Sequence, residues 1–309
     1  MELSKDPLVS VVIPMYNAED WIEGLLESIQ RQTYSKIEII LVDDGSTDLS
    51  LKLVTKFSSH NSEIALKVIS KTNSGVSDSR NEGVRQATGE LVAFVDSDDI
   101  WMAEKIERQV DSILSSNAAA VACSYVIFRD SDQKLLDVIH PKWSAKSVRN
   151  WLLFRSYGGL LSSTLMISKD TFYQTGPFRS DLSLSADVEF AWRLLRITSV
   201  EVLNDPLVGY RLRANQMHKI PSLLLSESQR MIEIVDLLKI EKYRNIYIAN
   251  LNLRLFLYSV KDGQIRNSLG FLLNALRMNI LEIYVTFGRI LLKRALRVFR
   301  EKKSFFPNP

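Results

Sequence analysis

Apolar and polar positions along the first hundred residues follow two alternating rhythms, and the switches between them mark out the elements. Mainly apolar runs at 9–13, 37–42, 65–69 and 91–95 read as strands, the last, unbroken one as a buried strand. Pro14 should stop the first of them, because it has no N–H for a central ladder. Between the runs the apolar residues fall three and four apart. Trp21, Ile22, Leu25, Leu26 and Ile29 share one helical face that opens near Asp20. A second helix, capped by Ser46 or Thr47, extends to about Phe57, and a third follows Gly75 as far as Ala87. Strands and helices alternating at this spacing predict an α/β class with βαβ units on a mostly parallel sheet.

Beyond residue 100 the pattern predicts a helix over 101–115, a strand over 120–128 turning through 130–133 into a return strand at 135–139, and a helix near 147–154. Strands follow at 163–168 and 200–203, with an extended segment at 210–213. After Pro221 the rhythm is helical throughout, over 223–240, 243–260, 265–278 and 283–300, broken at Asp262-Gly263. The expected organisation is a body over 1–221, with halves of about 1–115 and 116–221, and a helical region over 222–309.

Composition changes this picture in three ways. With 309 residues, 46% hydrophobic and 24% charged, the chain can bury a substantial core. Its one cysteine, Cys123, excludes an intrachain disulfide and favours a reducing compartment. No apolar run approaches the ~18–20 residues of a spanning helix, and the short run after the N-terminus lacks the flanks of a signal peptide. A cytoplasmic protein is expected, with no nucleic-acid partner. The net charge of +3 hides an asymmetry: the residues after Pro221 hold 15 Lys/Arg against 7 Asp/Glu, a net +8, over a body of −5. The last predicted helix sets Arg289, Lys293, Arg297 and Arg300 on one face and Phe287, Leu291, Ala295 and Val298 on the other. That pattern fits a helix lying on an anionic membrane surface, at the cytoplasmic face. It fits equally a helix packed on its own domain.

The chemistry gathers at the strand exits. Tyr16 and Asn17, Asp43 and Asp44, Asn73 and Gly75, and Asp96 to Asp99 each follow an apolar run. In open α/β sheets ligands bind beyond the carboxyl ends of the strands, so the four exits point to one crevice. The sharpest is Phe94-Val95-Asp96-Ser97-Asp98-Asp99-Ile100-Trp101. Two such charges ~4–5 Å apart repel by about 3–4 kcal/mol at an effective dielectric near 20. The cluster must be solvated, partly protonated or holding a cation. Carboxylate oxygens there suit Mg²⁺ or Mn²⁺ completed by phosphate; the other reading is an acidic turn in which Asp98 or Asp99 caps the next helix. Neither G-x-G-x-x-G nor a P-loop pattern is present, which disfavours dinucleotide and P-loop folds.

Val9-Ser10-Val11-Val12-Ile13-Pro14-Met15-Tyr16-Asn17-Ala18, then Ile39-Ile40-Leu41-Val42-Asp43-Asp44-Gly45-Ser46-Thr47-Asp48, Ser79-Arg80-Asn81-Glu82-Gly83 and the acid motif at 94–101 together resemble the family 2 glycosyltransferases. The resemblance covers about 9–218. It implies the GT-A fold, an inverting sugar transfer, a nucleoside-diphosphate sugar donor, most often a UDP-sugar, and a divalent metal, Mn²⁺ or Mg²⁺. Carried onto this sequence, Pro14 and Tyr16 lie against the nucleobase, Asn17 and Gly75 line the nucleotide site, and Asp44 accepts the uracil N3–H. Arg80 helps to hold the nucleotide, or is a surface helix charge. Asp96 lies near the ribose and the metal, and Asp98 is the direct metal ligand. Asp99 is second-shell to the metal or a helix cap.

Ser185-Ala186-Asp187-Val188-Glu189-Phe190-Ala191-Trp192-Arg193 resembles the family's acceptor segment, which places the catalytic base at Asp187; a helix-dipole charge is its alternative. The family has Glu where Ala186 stands, and Glu189 is the reserve acid. Arg211 and Arg213, two apart on an extended segment, suit a diphosphate. His218 is a further metal or phosphate contact or merely exposed. The implied acceptor is a saccharide or lipid-linked saccharide in cell-surface polysaccharide or glycolipid synthesis. A sugar nucleotidyltransferase or a non-catalytic nucleotide-sugar-binding subunit are the alternatives.

Overall fold

Complete burial of all seven residues of β1 (Val9–Met15) makes it an interior strand covered on both faces, as its mainly apolar sequence requires. The computed structural model describes residues 3–61, 64–152 and 160–213, and in the C-terminal region 226–227, 230–233, 241–261, 269–279, 285 and 288. Parallel to β1 lie β2 (Ile37–Asp43) on one side and β4 (Leu91–Phe94) on the other, with β3 (Ala65–Ser70) beyond β2. Register pairs Met15 with Asp43 and Asp43 with Ser70, so the carboxyl ends of these strands form one edge. Helices α1 (Ile22–Gln30), α2 (Ser50–His60) and α3 (Val76–Gln86) make the crossovers.

The second half supplies the antiparallel part. β6 (Ala120–Arg129) runs parallel to β9 (Glu201–Leu212) and antiparallel to β7 (Leu135–Ile139) and to β8 (Met166–Ser168), which joins it to β4. The two-residue β5 (Ile100–Trp101) closes the sheet against β9. Around it stand α4 (Lys105–Ser116), a 3₁₀ turn at Ser162–Thr164, α6 (Lys169–Thr175) and α7 (Ala186–Leu194), while α5 spans Ala145–Leu152 in the chain after β7. Ile22, Leu25, Leu26 and Ile29 of α1 and Ile106, Val110 and Ile113 of α4 pack into the same core as Val9, Val11, Ile13, Leu91 and Ala93.

Several expectations change. β1 runs through Pro14. The Val12 carbonyl accepts from Val95 N–H, so by alternation Pro14 faces the β4 side, beyond the end of that strand, and its missing donor costs no ladder bond. Ser46 and Thr47 do not cap α2. They bind Asn17 instead, while the first amides of α2 are met by Glu19 and Asp48. Residues 100–101 form a strand and α4 begins at Lys105, so neither Asp98 nor Asp99 is its cap. The segments at 200–203 and 210–213 belong to one strand, β9, and α6 is an additional helix.

The chain divides into two compact units, residues 1–145 with 158–213, and 146–157 with 214–309. In the second, α8 (Glu241–Lys261) packs Ala249 and Leu253 against Ala275 of the helix spanning 269–279. Of the predicted last helix over 283–300 only Val285 and Gly288 are described, so its basic face lies outside the described residues, as does His218. Among the described residues no helix is long and apolar enough to cross a membrane.

Candidate active site

Arg80 is the hinge of the site. Two residues of α3 help to bury it: Gly83 lets the helix lie against β1, where an added Cβ would come 2.3 Å from Val12 Cγ1. Asn81 clamps the backbone of Phe178 through both its amide atoms, at 2.8 and 2.9 Å. The Arg80 guanidinium then lies 5.3 Å from the Phe178 ring centroid, with the residue 3% exposed. Its fork donates from Nη1 to Asp187 Oδ1 at 2.8 Å and from Nη2 to Asp96 Oδ1 at 2.6 Å. The expectation of a surface helix charge is overturned: the side chain is buried and joins two acids.

Asp187 opens α7 and is further held by Ser162 N–H on Oδ2 at 3.1 Å. Burial pushes its carboxyl up, Arg80 pulls it back, and the Asp96 charge adds to the rise. Ala186 beside it is fully buried, so the side chain where the family has Glu packs into the interior. Glu189 is not a free acid: Arg193 grips both its oxygens, at 2.8 and 2.7 Å, and ties it to the carbonyls of Thr175, Gly176 and Pro177.

The acid turn is built from outside itself. Ser163 Oγ accepts from Asp96 N–H at 3.1 Å and donates to Asp99 Oδ2 at 2.6 Å. Asp99 is 1% exposed and also receives Arg211 N–H, and burial with two acidic neighbours drives its carboxyl well up. Asp98 takes Arg213 Nε on Oδ2 at 2.6 Å, and its carbonyl takes Arg211 Nε at 2.8 Å. Burial raises Asp98, Arg213 opposes and Asp96 adds. Both arginines are fixed by further groups. Arg211 donates to Asp130 and stacks on Phe128, and Arg213 stacks on Trp21 at 4.2 Å.

Asp96 and Asp98 each have a second oxygen beyond these ion pairs, and Asp96 is one-third exposed. This donor set fits Mg²⁺ or Mn²⁺, which are held by one or two carboxylates with phosphate and water completing the shell. Among the described residues no group of three or more His, Cys, Asp and Glu forms a closed metal cage.

On the other flank Asp44, 4% exposed, accepts from Ser74 N–H at 2.9 Å and Gly75 N–H at 2.8 Å and pairs with Lys71. Gly75 reaches this pose with φ at +96°, a region open to glycine. Pro14 is buried in β1, whereas Tyr16 is 51% exposed, presenting a ring at the strand exit. Asn17, at φ +47°, ties its loop to 46–47. Ser162, Ser163, Lys71 and Ser74 escaped the sequence reading. Their contributions are mostly backbone amides or common hydroxyls, which leave no motif.

A mixed sheet with a parallel first half, an acid turn at one strand exit and a second acid on a later helix define a GT-A type domain. The chain belongs to glycosyl transferase family 2, whose profile matches residues 10–172. Among curated relatives, the Escherichia coli protein WfgD, a UDP-Glc:alpha-D-GlcNAc-diphosphoundecaprenol beta-1,3-glucosyltransferase, is 35% identical over 126 residues, 41% of this chain and 49% of that one. The first four curated relatives are matched over only 32–65% of their own lengths. Staphylococcus aureus TarS 1–349 in complex with UDP-GlcNAc superposes with a TM-score of 0.59 at 21% identity, over 94% of this chain and 89% of that one. The mannosyltransferase PcManGT of Pyrobaculum calidifontis, in complex with GDP-Man and Mn²⁺, gives 0.57 at 19% identity, over 96% and 82%. At these identities both likenesses speak for the fold alone.

Proposed function

We propose that the protein transfers a sugar, with inversion, from a UDP-sugar to a hydroxyl of a saccharide or lipid-linked saccharide in the synthesis of a cell-surface polysaccharide or glycolipid. The observation that carries this reading is the Arg80 fork, which holds an acid of the donor-side turn and an acid of α7 in one crevice. Asp187 takes the acceptor hydroxyl's proton while that oxygen bonds to the anomeric carbon and the bond to the departing diphosphate breaks on the opposite face. Asp96 and Asp98 would hold the divalent cation, which when bound supplies Lewis-acid neutralisation of charge on the diphosphate. No second protein acid is then needed, unlike the paired carboxylates of glycosidases.

The choice of uracil rests on Asp44. A carboxylate offers about four acceptor positions, and two amides and Lys71 engage this one, so it is fixed in orientation with capacity for one imide N–H. Tyr16 supplies the stacking face. The named ligands of the two fold neighbours, UDP-GlcNAc and GDP-Man, differ in the base, so the fold does not make this choice. The name of the relative WfgD supports a lipid-linked acceptor. The excess of positive charge after Pro221 supports attachment to an anionic membrane surface.

Calorimetric titration with UDP- and GDP-sugars in the presence of Mn²⁺ tests the donor, and saturable binding of only GDP-sugars would overturn the uracil reading. Asp187→Asn tests the base. Donor binding should persist while transfer falls by about 10²–10⁴-fold. A variant that transfers like the parent would remove Asp187 from the chemistry.

A further inference from the structure

A serine hydroxyl has one proton to give and two lone pairs with which to receive. Ser163 is fully buried and commits both capacities to the acid turn after β4. Its Oγ accepts from Asp96 N–H at 3.1 Å and donates to Asp99 Oδ2 at 2.6 Å. Arg211 N–H reaches the other oxygen, Asp99 Oδ1, at 3.3 Å, so both oxygens of this carboxylate are engaged within the protein. One atom, from a segment more than sixty residues further along the chain, thus holds the first and last acids of the turn.

The hydroxyl is itself held in place. Ser163 lies in the 3₁₀ turn Ser162–Thr164, whose carbonyls receive donors from the core. Ser163 O accepts from Trp101 Nε1 at 3.2 Å, and Thr164 O accepts from Gln109 Nε2 at 2.9 Å. Lys105 decides which end of the Gln109 amide faces Thr164, because an ammonium only donates and it takes Gln109 Oε1 at 2.7 Å. Gln109 and Lys105 are both fully buried, so water does not compete for these bonds.

The Ser163 bonds separate the tasks of three neighbouring carboxylates. Asp99 belongs to the scaffold of the turn, whereas Asp96 and Asp98 each keep a second oxygen beyond their ion pairs. We infer that Ser163 is a positioning residue for the cation site. By fixing Asp96 at its amide and Asp99 at its carboxylate, it sets the turn in the shape in which Asp96 and Asp98 receive Mg²⁺ or Mn²⁺. This role rests on the reading of those two acids as the ligands of the cation. Groups that orient metal ligands from outside typically contribute about 10- to 100-fold to metal affinity.

Titration of the full chain with Mn²⁺ in the presence of UDP, followed by the electron paramagnetic resonance of the free ion, tests the role without requiring turnover. Ser163→Ala should weaken Mn²⁺ binding by about ten- to a hundredfold. Ser163→Thr keeps the hydroxyl but adds a methyl at a fully buried position, so it should lose stability in urea and still bind Mn²⁺ like the parent. Parental affinity in folded Ser163→Ala, or an affinity that follows stability across the two variants, overturns the inference. A crystal structure of the wild-type protein with Mn²⁺ and UDP decides the matter even where neither variant folds. Asp96 and Asp98 should contact the ion while Ser163 Oγ stays within ~2.5–3.2 Å of Asp96 N and Asp99 Oδ2. Asp99 on the ion and released from Ser163 overturns the inference. Wild-type protein that takes up no Mn²⁺ removes the cation from the proposed function and the positioning role with it, an outcome distinct from parental affinity in the variant.

Discussion

Replacing Arg80 with Met probes the centre of the site most directly. The change keeps a long side chain over Phe178 but removes the cation shared by Asp96 and Asp187. Two opposite charges at 4 Å attract by about 4 kcal/mol at an effective dielectric of 20, and stripping one partner from a buried pair typically costs about 3–5 kcal/mol. Asp96 is one-third exposed and water screens part of its loss, whereas Asp187 is much less exposed. Most of the cost therefore falls on Asp187, and a total of about 3 kcal/mol is expected, at the low end of that range. Urea unfolding at neutral pH measures it. The decisive comparison is a double-mutant cycle with Asp187→Asn. In that background no anionic partner remains on α7, so the Arg80→Met penalty should shrink by about 1–3 kcal/mol, the coupling expected of residues in contact. Arg80→Lys should recover only part of the loss, since one ammonium cannot reproduce a fork that reaches two carboxylates. An Arg80→Met penalty unchanged by Asp187→Asn would refute the bridge and with it the linkage of donor-side acid to base.

Two further outcomes follow from the packing. Gly83→Ala places a Cβ 2.3 Å from Val12 Cγ1 on the central strand, so α3 must retreat; a loss of about 1–3 kcal/mol by urea unfolding is expected, with weakened donor binding by calorimetry because Arg80 moves with the helix. Lys105 is fully buried against Trp101 and Gln109, and burial lowers its amine from 10.5 to about 8. From pH 8 upward the unfolded chain holds this proton and the folded chain releases it, so stability should rise by about 1 kcal/mol between pH 8 and 9. Above pH 9 the rise should flatten, because burial lifts the Cys123 thiol from 9.0 to about 11 and that group opposes it. Lys105→Met should abolish the rise, and a parental slope in that variant would contradict the assignment.

The sequence was most legible where one local property decided the outcome. Apolar runs located β1 to β4 within a residue or two; β1, β2 and β4 are largely buried and admit little else, and only β3, an edge strand with no buried residue, was found by composition alone. It was least legible where a partner distant in the chain decided. Trp101 looks helical by spacing, yet its backbone pairs with Val208 and its indole donates to Ser163 O. Ser46 and Thr47 look like caps, yet the loop after β1 claims them. Asp99 looked like a cap or a metal neighbour; it is not the cap, and it anchors the turn to Ser163 and Arg211. Glu189 looked available because its clamp, Arg193, stands one helical turn further on and could equally have faced water.

Arg80 shows why the acids themselves were easy to find and their connection was not. A carboxylate cluster after a strand is conspicuous because its repulsion demands a purpose. An arginine on a helix with few apolar neighbours carries no such signal, and α3 is among the more polar helices of the domain. Its burial follows from features that only the assembled fold brings together. The missing Cβ of Gly83 lets α3 lie against β1, the Asn81 amide draws the Phe178 backbone across, and the Phe178 ring lies over the guanidinium. With water excluded there, Arg80 must find anions, and the two within reach come from opposite halves of the domain, Asp96 after β4 and Asp187 on α7. Burying one cation thus ties the carboxylate after β4 to the carboxylate on α7, the two acids to which the proposed function assigns donor and acceptor.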